Sequence, residues 1–236
     1  MTTSINWQPD GIFLLGGWGC PSHWLLPLRR DLAQSFECSV EMIDLPDDQE
    51  SWQQNWLDQL AKYHRPLLIG WSYGGMLAVS LAHKLLATIE TDCKVVTLGA
   101  RPQFIDDDWT VFDAEVAESF RKRVAMSVVK GLSYFIALTA QGEPKAQIHT
   151  LKKDVQTENV SGDLLVRSLE HLYQLNVREA WKGLLDKDAL FPVYFQHDAL
   201  IRIPEHLKQD ALDATHLAPV TNSSLVSSEI KRLFIG

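Results

Sequence analysis

Gly70-Trp71-Ser72-Tyr73-Gly74-Gly75 sets a serine midway between two glycines, after the apolar run Pro66 to Ile69 and before the helical pattern Tyr73 to Leu86. A strand-to-helix turn tight enough to expose the serine oxygen forces strained dihedrals on that serine. Side chains at Gly70 or Gly74 would collide with the turn. The helix start offers free N–H groups and the positive end of its dipole to an anion, with the Tyr73 N–H as the first donor. The chemistry is nucleophilic attack on an acyl carbonyl; the competing explanation is a glycine-rich packing turn.

A serine hydroxyl is a poor nucleophile until a base takes its proton, so a histidine oriented by a carboxylate is required. Where the nucleophile sits on such a turn, the acid follows a late strand and the histidine follows the last one. Leu190 to Phe195 reads as the late strand, and Gln196-His197-Asp198-Ala199 leaves its carboxyl end, which makes Asp198 the candidate acid. His206 and His216 lie downstream. His216, in the turn-like Ala214-Thr215-His216-Leu217-Ala218-Pro219 before the terminal helical stretch, is the candidate base. His206 falls on an apparent helix from Pro204 and reads as a surface residue. His197, adjacent to the acid, reads as a strand-end hydrogen-bonding residue, and Asp186 and Asp188 precede the strand at its wrong end. A second oxyanion donor is expected from Gly16-Gly17-Trp18-Gly19-Cys20, after Phe13-Leu14-Leu15. The Trp18 N–H is the candidate, its indole being a wall of the acyl pocket, a buried structural residue, or both. No base is indicated for Cys20, which reads as a small buried residue.

These residues need a scaffold of alternating elements. Strand patterns at Ile12 to Leu15, Val40 to Leu45, Pro66 to Ile69, Lys94 to Leu98 and Leu190 to Phe195 alternate with helical patterns at Trp24 to Phe36, Trp52 to Tyr63 and Tyr73 to Leu86. This predicts an α/β fold, a mostly parallel sheet with helices on both faces and its ligand at the carboxyl ends of the strands. Between Phe104 and Trp181 strand signals vanish and helical patterns follow one another, at Ala114 to Lys130, Leu132 to Ala140 and Asp163 to Leu175. The expected organisation is a core of 1–103 and 182–236 carrying a helical lid of 104–181.

Composition narrows the classes. The 236 residues are 46% hydrophobic and 22% charged, average for a globular chain, and carry a formal charge of −8, which argues against a generally basic nucleic-acid binder. No apolar run approaches the roughly 18 residues of a membrane helix. Cys20, Cys38 and Cys93 are far apart and show no metal-binding spacing, so reduced thiols and no metal or cofactor are expected. The start, Met1 to Asp10, lacks the pattern of a signal peptide, so the cytoplasm is the expected location and the Asn159-Val160-Ser161 and Asn222-Ser223-Ser224 sequons carry no meaning there. Charge is segregated in the insertion: six acids and no base lie from Asp106 to Glu118, whereas Arg121 to Lys153 holds seven bases and one acid, Glu143. Either the two stretches neutralise each other across a helix pair, or the basic one is a landing site for an acidic partner.

Taken together, Gly17-Trp18-Gly19, the Gly70–Gly75 turn, the late Asp198 and Ala-x-His216 resemble the α/β-hydrolase superfamily. Within it the chain is most similar to the pimeloyl-[acyl-carrier protein] methyl ester esterase family of biotin synthesis. Tyr134-Phe135-Ile136-Ala137-Leu138-Thr139-Ala140-Gln141-Gly142-Glu143 and Leu151-Lys152-Lys153-Asp154 are similar to that family's lid. The resemblance implies a carboxylesterase with Ser72, Asp198 and His216 as its triad, removing the methyl group from a pimeloyl chain on phosphopantetheine. It implies acyl contacts at Trp18, Tyr73, Phe135, Ile136, Ala137 and Leu138, and an acyl-carrier protein met by Lys130, Lys145, Lys152 and Lys153. The chain departs from the family in having Gly16 where a histidine is usual, Tyr73 where leucine is common, Thr139 in place of a lid glutamine, and lysines or Tyr134 in place of lid arginines. The same triad would serve a general short-chain esterase, a thioesterase or a C–C bond hydrolase, and a silent hydrolase fold would serve as a binding protein.

Overall fold

A computed structural model describes residues 7–45, 49–105, 114–157 and 162–235. The opening residues Met1 to Asn6, the greater part of the acidic run (Asp106 to Asp113) and the Asn159–Ser161 sequon lie outside the described residues. The elements in chain order are β1 (Gly11–Leu15), α1 (Leu26–Phe36), β2 (Val40–Ile43), α2 (Gln49–Leu60), β3 (Pro66–Trp71), α3 (Tyr73–Thr88), β4 (Lys94–Leu98), α4 (Ala114–Met126), α5 (Val128–Thr139), α6 (Lys145–Thr157), α7 (Gly162–Gln174), α8 (Arg178–Leu185), β5 (Leu190–Val193), β6 (Phe195–His197), α9 (Glu205–Lys208), β7 (Leu212–Thr215), α10 (Ala218–Thr221) and α11 (Ser223–Phe234). The chain divides into two compact units, one of residues 1–102, 177–193 and 218–236 and the other of 103–176 and 194–217.

The first unit is the expected α/β layer structure. Five parallel strands lie in the order β2-β1-β3-β4-β5. Because a parallel sheet is covered on its faces, β1 and β3 are buried at every position and read as unbroken apolar runs. Helices α2, α3 and α8 pack into one group and α1 with α11 into another. Helix α3 is buried at Tyr73 and from Met76 through Leu77, Ala78, Val79, Leu81, Ala82 and Leu85, and exposes polar residues, His83, Lys84 and Thr88, only toward its end.

The second unit contains helices α4 to α7 and the two-stranded parallel pair β6–β7. Ser127 breaks the expected continuous helix Ala114 to Lys130, its side chain accepting a hydrogen bond from the Lys130 N–H as the N-cap of α5. Helix α6 is an addition to the pattern read from the sequence. The expected strand Leu190 to Phe195 is two strands: Val193 ends β5, where its carbonyl accepts from Gly99 N, whereas the Tyr194 carbonyl accepts from Leu212 N in the other pairing. Segment 194–217, which the sequence placed in the core, thus clusters with the helical insertion. No helix among the described residues is long and apolar enough to cross a membrane.

Candidate active site

In the first unit, Ser72 joins β3 to α3 with φ 55° and ψ −120°, a conformation costing a residue with a Cβ about 1–3 kcal/mol. The surroundings over-determine it. Ser72 N donates to the Leu98 carbonyl of β4 at 2.9 Å, and the Ser72 carbonyl accepts from Gly75 N at 2.9 Å. A Cβ on Gly70 would stand 2.3 Å from the Gly74 carbonyl oxygen, and one on Gly74 would stand 2.4 Å from that of Gly16 and 2.6 Å from that of Leu15. The two glycines flanking the serine are therefore dictated by backbone packed against backbone. The loop after β1 lies beside the serine, since a Cβ on Gly17 would be 3.4 Å from Ser72 Cβ. The following Trp18 side chain is buried, as is that of Tyr73, the residue after the serine. Cys20, in the same loop, donates its Sγ–H to the Pro21 carbonyl at 3.4 Å, and burial pushes its thiol well above the usual range. It is a poor source of thiolate.

In the second unit, Asp198 and His216 form a closed pair. Asp198 leaves the end of β6 and His216 the end of β7, so the parallel pairing of these short strands brings both to the same, carboxyl end of the pair. The Asp198 Oδ1 accepts from the backbone N–H groups of Leu200 at 2.8 Å and Ile201 at 3.0 Å. This turn, signalled by an aspartate at its head, leaves Oδ2 to bond His216 Nδ1 at 2.7 Å. Both side chains are only 1% exposed. A carboxylate can only accept, so Nδ1 carries the proton and the neutral imidazole has its lone pair on Nε2, the tautomer a general base requires.

The rival residues are elsewhere. His197 is exposed and pairs with Asp213 at 2.7 Å; His206 is exposed on α9; Asp186 and Asp188 are exposed ahead of β5. On α5, Phe135 and Ile136 are buried, with Phe135 stacked on Phe120 of α4 at 5.6 Å, while Ala137 and Leu138 are half-buried. Consecutive helical residues point about 100° apart, so these four do not share one wall. The Thr139 hydroxyl donates to the Phe135 and Ile136 carbonyls and is turned onto its own helix, at the position where the resembled family has glutamine. Lys130, Lys145 and Lys153 are exposed and Lys152 is half-buried. None of the four is in an ion pair among the described residues. Arg121 and Lys122 are engaged by Glu118, Arg121 also by Glu170, and Arg123 lies over the Tyr134 ring at 4.6 Å. No group of three or more His, Cys, Asp or Glu among the described residues stands where it could hold a metal ion.

Comparison with known proteins bears on the fold and the family. Residues 12–224 match the alpha/beta hydrolase family. The chain is 30% identical over 182 positions, covering 73% of it and 70% of the relative, to a pimeloyl-[acyl-carrier protein] methyl ester esterase of Legionella pneumophila. To the protein of the same description from Photobacterium profundum it is 28% identical over 244 positions, covering 92% of each. Among solved structures, a hydrolase from Oleispira antarctica superposes with a TM-score of 0.68 at 12% identity, over 97% of this chain and 91% of that one. An esterase from Exiguobacterium antarcticum gives 0.68 at 14% identity, over 94% and 91%.

Proposed function

This chain is an ester hydrolase of the alpha/beta hydrolase family, and we propose that Ser72, His216 and Asp198 are its catalytic triad and the methyl ester of pimeloyl-acyl-carrier protein its substrate. His216 Nε2 takes the Ser72 proton as the hydroxyl oxygen attacks the ester carbonyl, and the Trp18 and Tyr73 N–H groups receive the oxyanion. The tetrahedral intermediate collapses to the acyl-serine, and methanol leaves with the proton from His216. Water, deprotonated by His216, then attacks the acyl-serine and frees the carboxylate. The single observation that carries the reading is the buried Asp198–His216 pair, whose carboxylate is committed on one oxygen to two backbone amides and on the other to Nδ1. The reading of the substrate rests on the relatives' named activity and on the four lysines, which suit an acidic carrier and its phosphate.

The lid favours a second reading in one respect. With Thr139 turned onto its helix and lysine in place of the directional arginine, a general short-chain carboxylesterase needs fewer of the family's contacts. Hydrolysis of pimeloyl-carrier methyl ester and of a free short-chain methyl ester, with Ser72→Ala as the blank, separates the two. A large preference for the carrier-bound ester that disappears in the blank is the expected result. Turnover of the free ester alone makes the protein a general carboxylesterase. The Ser72→Ala protein is expected to fold and to lose about 10⁶-fold in kcat; an active Ser72→Ala protein removes the assignment of the nucleophile.

A further inference from the structure

Glu143 is the one acid in the basic stretch Arg121 to Lys153. It lies in the turn between α5 and α6, and its Oε1 accepts a hydrogen bond from the hydroxyl of Thr215. Thr215 is the last residue of β7 and directly precedes His216. The same Thr215 hydroxyl accepts from the N–H of Leu217 at 3.3 Å. One oxygen thus bridges the backbone on both sides of the histidine, with its own proton directed at Glu143. The methyl group of Thr215 lies beside the same turn: Gly142 takes φ 94°, and a Cβ added there would approach Thr215 Cγ2 to 3.1 Å. The Gly142–Glu143 turn therefore faces both branches of the threonine side chain and binds its hydroxyl.

We propose that Glu143 is a positioning residue, which through Thr215 fixes the placement of the His216 ring and so makes the α5–α6 turn part of the support of the catalytic base. The Asp198 hydrogen bond sets the tautomer and one edge of the ring, whereas the backbone on either side of the histidine sets where the ring is rooted. Holding the residue before the histidine and the amide after it fixes that root. A carboxylate suits the task because it accepts strongly and cannot donate, so the threonine proton has one destination and its lone pairs remain for Leu217 N. Any shift of the turn on binding acyl chain along α5 would pass to the histidine through the same contact. The role rests on the proposed triad.

The test compares Glu143→Ala and Thr215→Val, which remove the bond, with Glu143→Gln and Thr215→Ser, which retain an acceptor and a hydroxyl. Two readouts are taken: kcat and KM for a free methyl ester, and the far-downfield NMR resonance of the His216 Nδ1 proton, which needs no turnover. The expected result is a fall in kcat of about tenfold to a hundredfold in Glu143→Ala and Thr215→Val, the scale of a positioning error of about 1 Å, with KM little changed. The double variant should be no worse than either single one, and the conservative variants should recover most of the rate. The downfield resonance should broaden or move in the first pair and persist in the second. If Glu143→Ala and Thr215→Val fold, and both rate and resonance match the parent protein, the positioning role is overturned. It is likewise overturned if the two losses are additive. If no ester is hydrolysed by the parent while the resonance still responds as stated, the role stands and the esterase reading falls.

Discussion

The Asp198 carboxylate does two jobs with two oxygens, and the division predicts what a neutral replacement does. In Asp198→Asn the side chain has one acceptor. If that oxygen stays with the Leu200 and Ile201 amides, the NH₂ group faces His216 Nδ1 and can only donate. The ring must then accept at Nδ1 and carry its proton on Nε2, where a general base needs a lone pair. The turn survives, so thermal stability should change little while kcat falls by about 10⁴-fold, the scale of a tautomer error. A variant with near-parental turnover would show that Asp198 does not orient the base. A protonation argument also applies to Cys20, in the loop whose Gly17 lies beside the serine but with its thiol pushed up by burial. A raised pKa leaves little thiolate at neutral pH, so native protein treated with iodoacetamide at pH 7 should retain its activity and yield no Cys20 adduct by mass spectrometry. Rapid alkylation with loss of turnover would bring Cys20 into the site.

At the scale of elements, the turn at Ser72 is made by backbone meeting backbone, and substitution tests this directly. Gly74→Ala sets a methyl carbon 2.4 Å from the Gly16 carbonyl oxygen and 2.6 Å from that of Leu15, neither of which is the loose end of a side chain. It should cost about 1–3 kcal/mol or more and, by moving the Gly16–Trp18 loop, most of the activity. Gly183, inside α8, is the counter-case: nothing lies within 4 Å of a Cβ there. Gly183→Ala should stabilise by about 0.5–1 kcal/mol in urea denaturation and leave turnover unaltered. These contrasts also explain what the sequence disclosed. The Gly70–Gly75 turn was legible because its geometry excludes side chains, and β1, β3 and β4 because parallel strands covered on both faces read as apolar runs. Strand β7, Leu-Asp-Ala-Thr, was not legible, since only Thr215 in it is buried and no alternation survives. Helix α6 presents Ile148, Leu151 and Val155 at helical spacing, but among so many polar residues that the signal was weak. The Asp198–His216 partnership followed from chain order, whereas the link of Glu143 to Thr215 joins residues 72 positions apart and leaves no local trace.

For the whole molecule, the two readings of the charged insertion divide between different residues. Arg121 and Lys122 are neutralised, though not by the acidic run across a helix pair: Glu118 engages both from the same helix α4, Glu170 of α7, outside that run, also engages Arg121, and Arg123 has a ring contact. The carboxyl of Glu118 itself is held down to about 2, chiefly by hydrogen bonds from Arg121, so it is an anion for these bases near neutral pH. Lys130, Lys145, Lys152 and Lys153 are not used in this way, and on the proposed function they are what an acidic carrier meets. The chain as a whole carries −8 and repels such a partner from afar, but at 0.1 M salt charges are screened beyond about 10 Å, so local lysines outweigh the distant net charge. Reversing Lys130, Lys152 and Lys153 to glutamate should therefore raise KM for the carrier-bound ester by about tenfold or more, mostly through slower association, and leave kcat and the KM of a free ester alone. Adding salt should narrow the gap between the parent and the reversed protein, because screening weakens attraction in one and repulsion in the other. A variant that loses equally on both substrates would show that these lysines support the helical insertion and do not meet the carrier, and one that loses on neither would place the docking face elsewhere on the molecule.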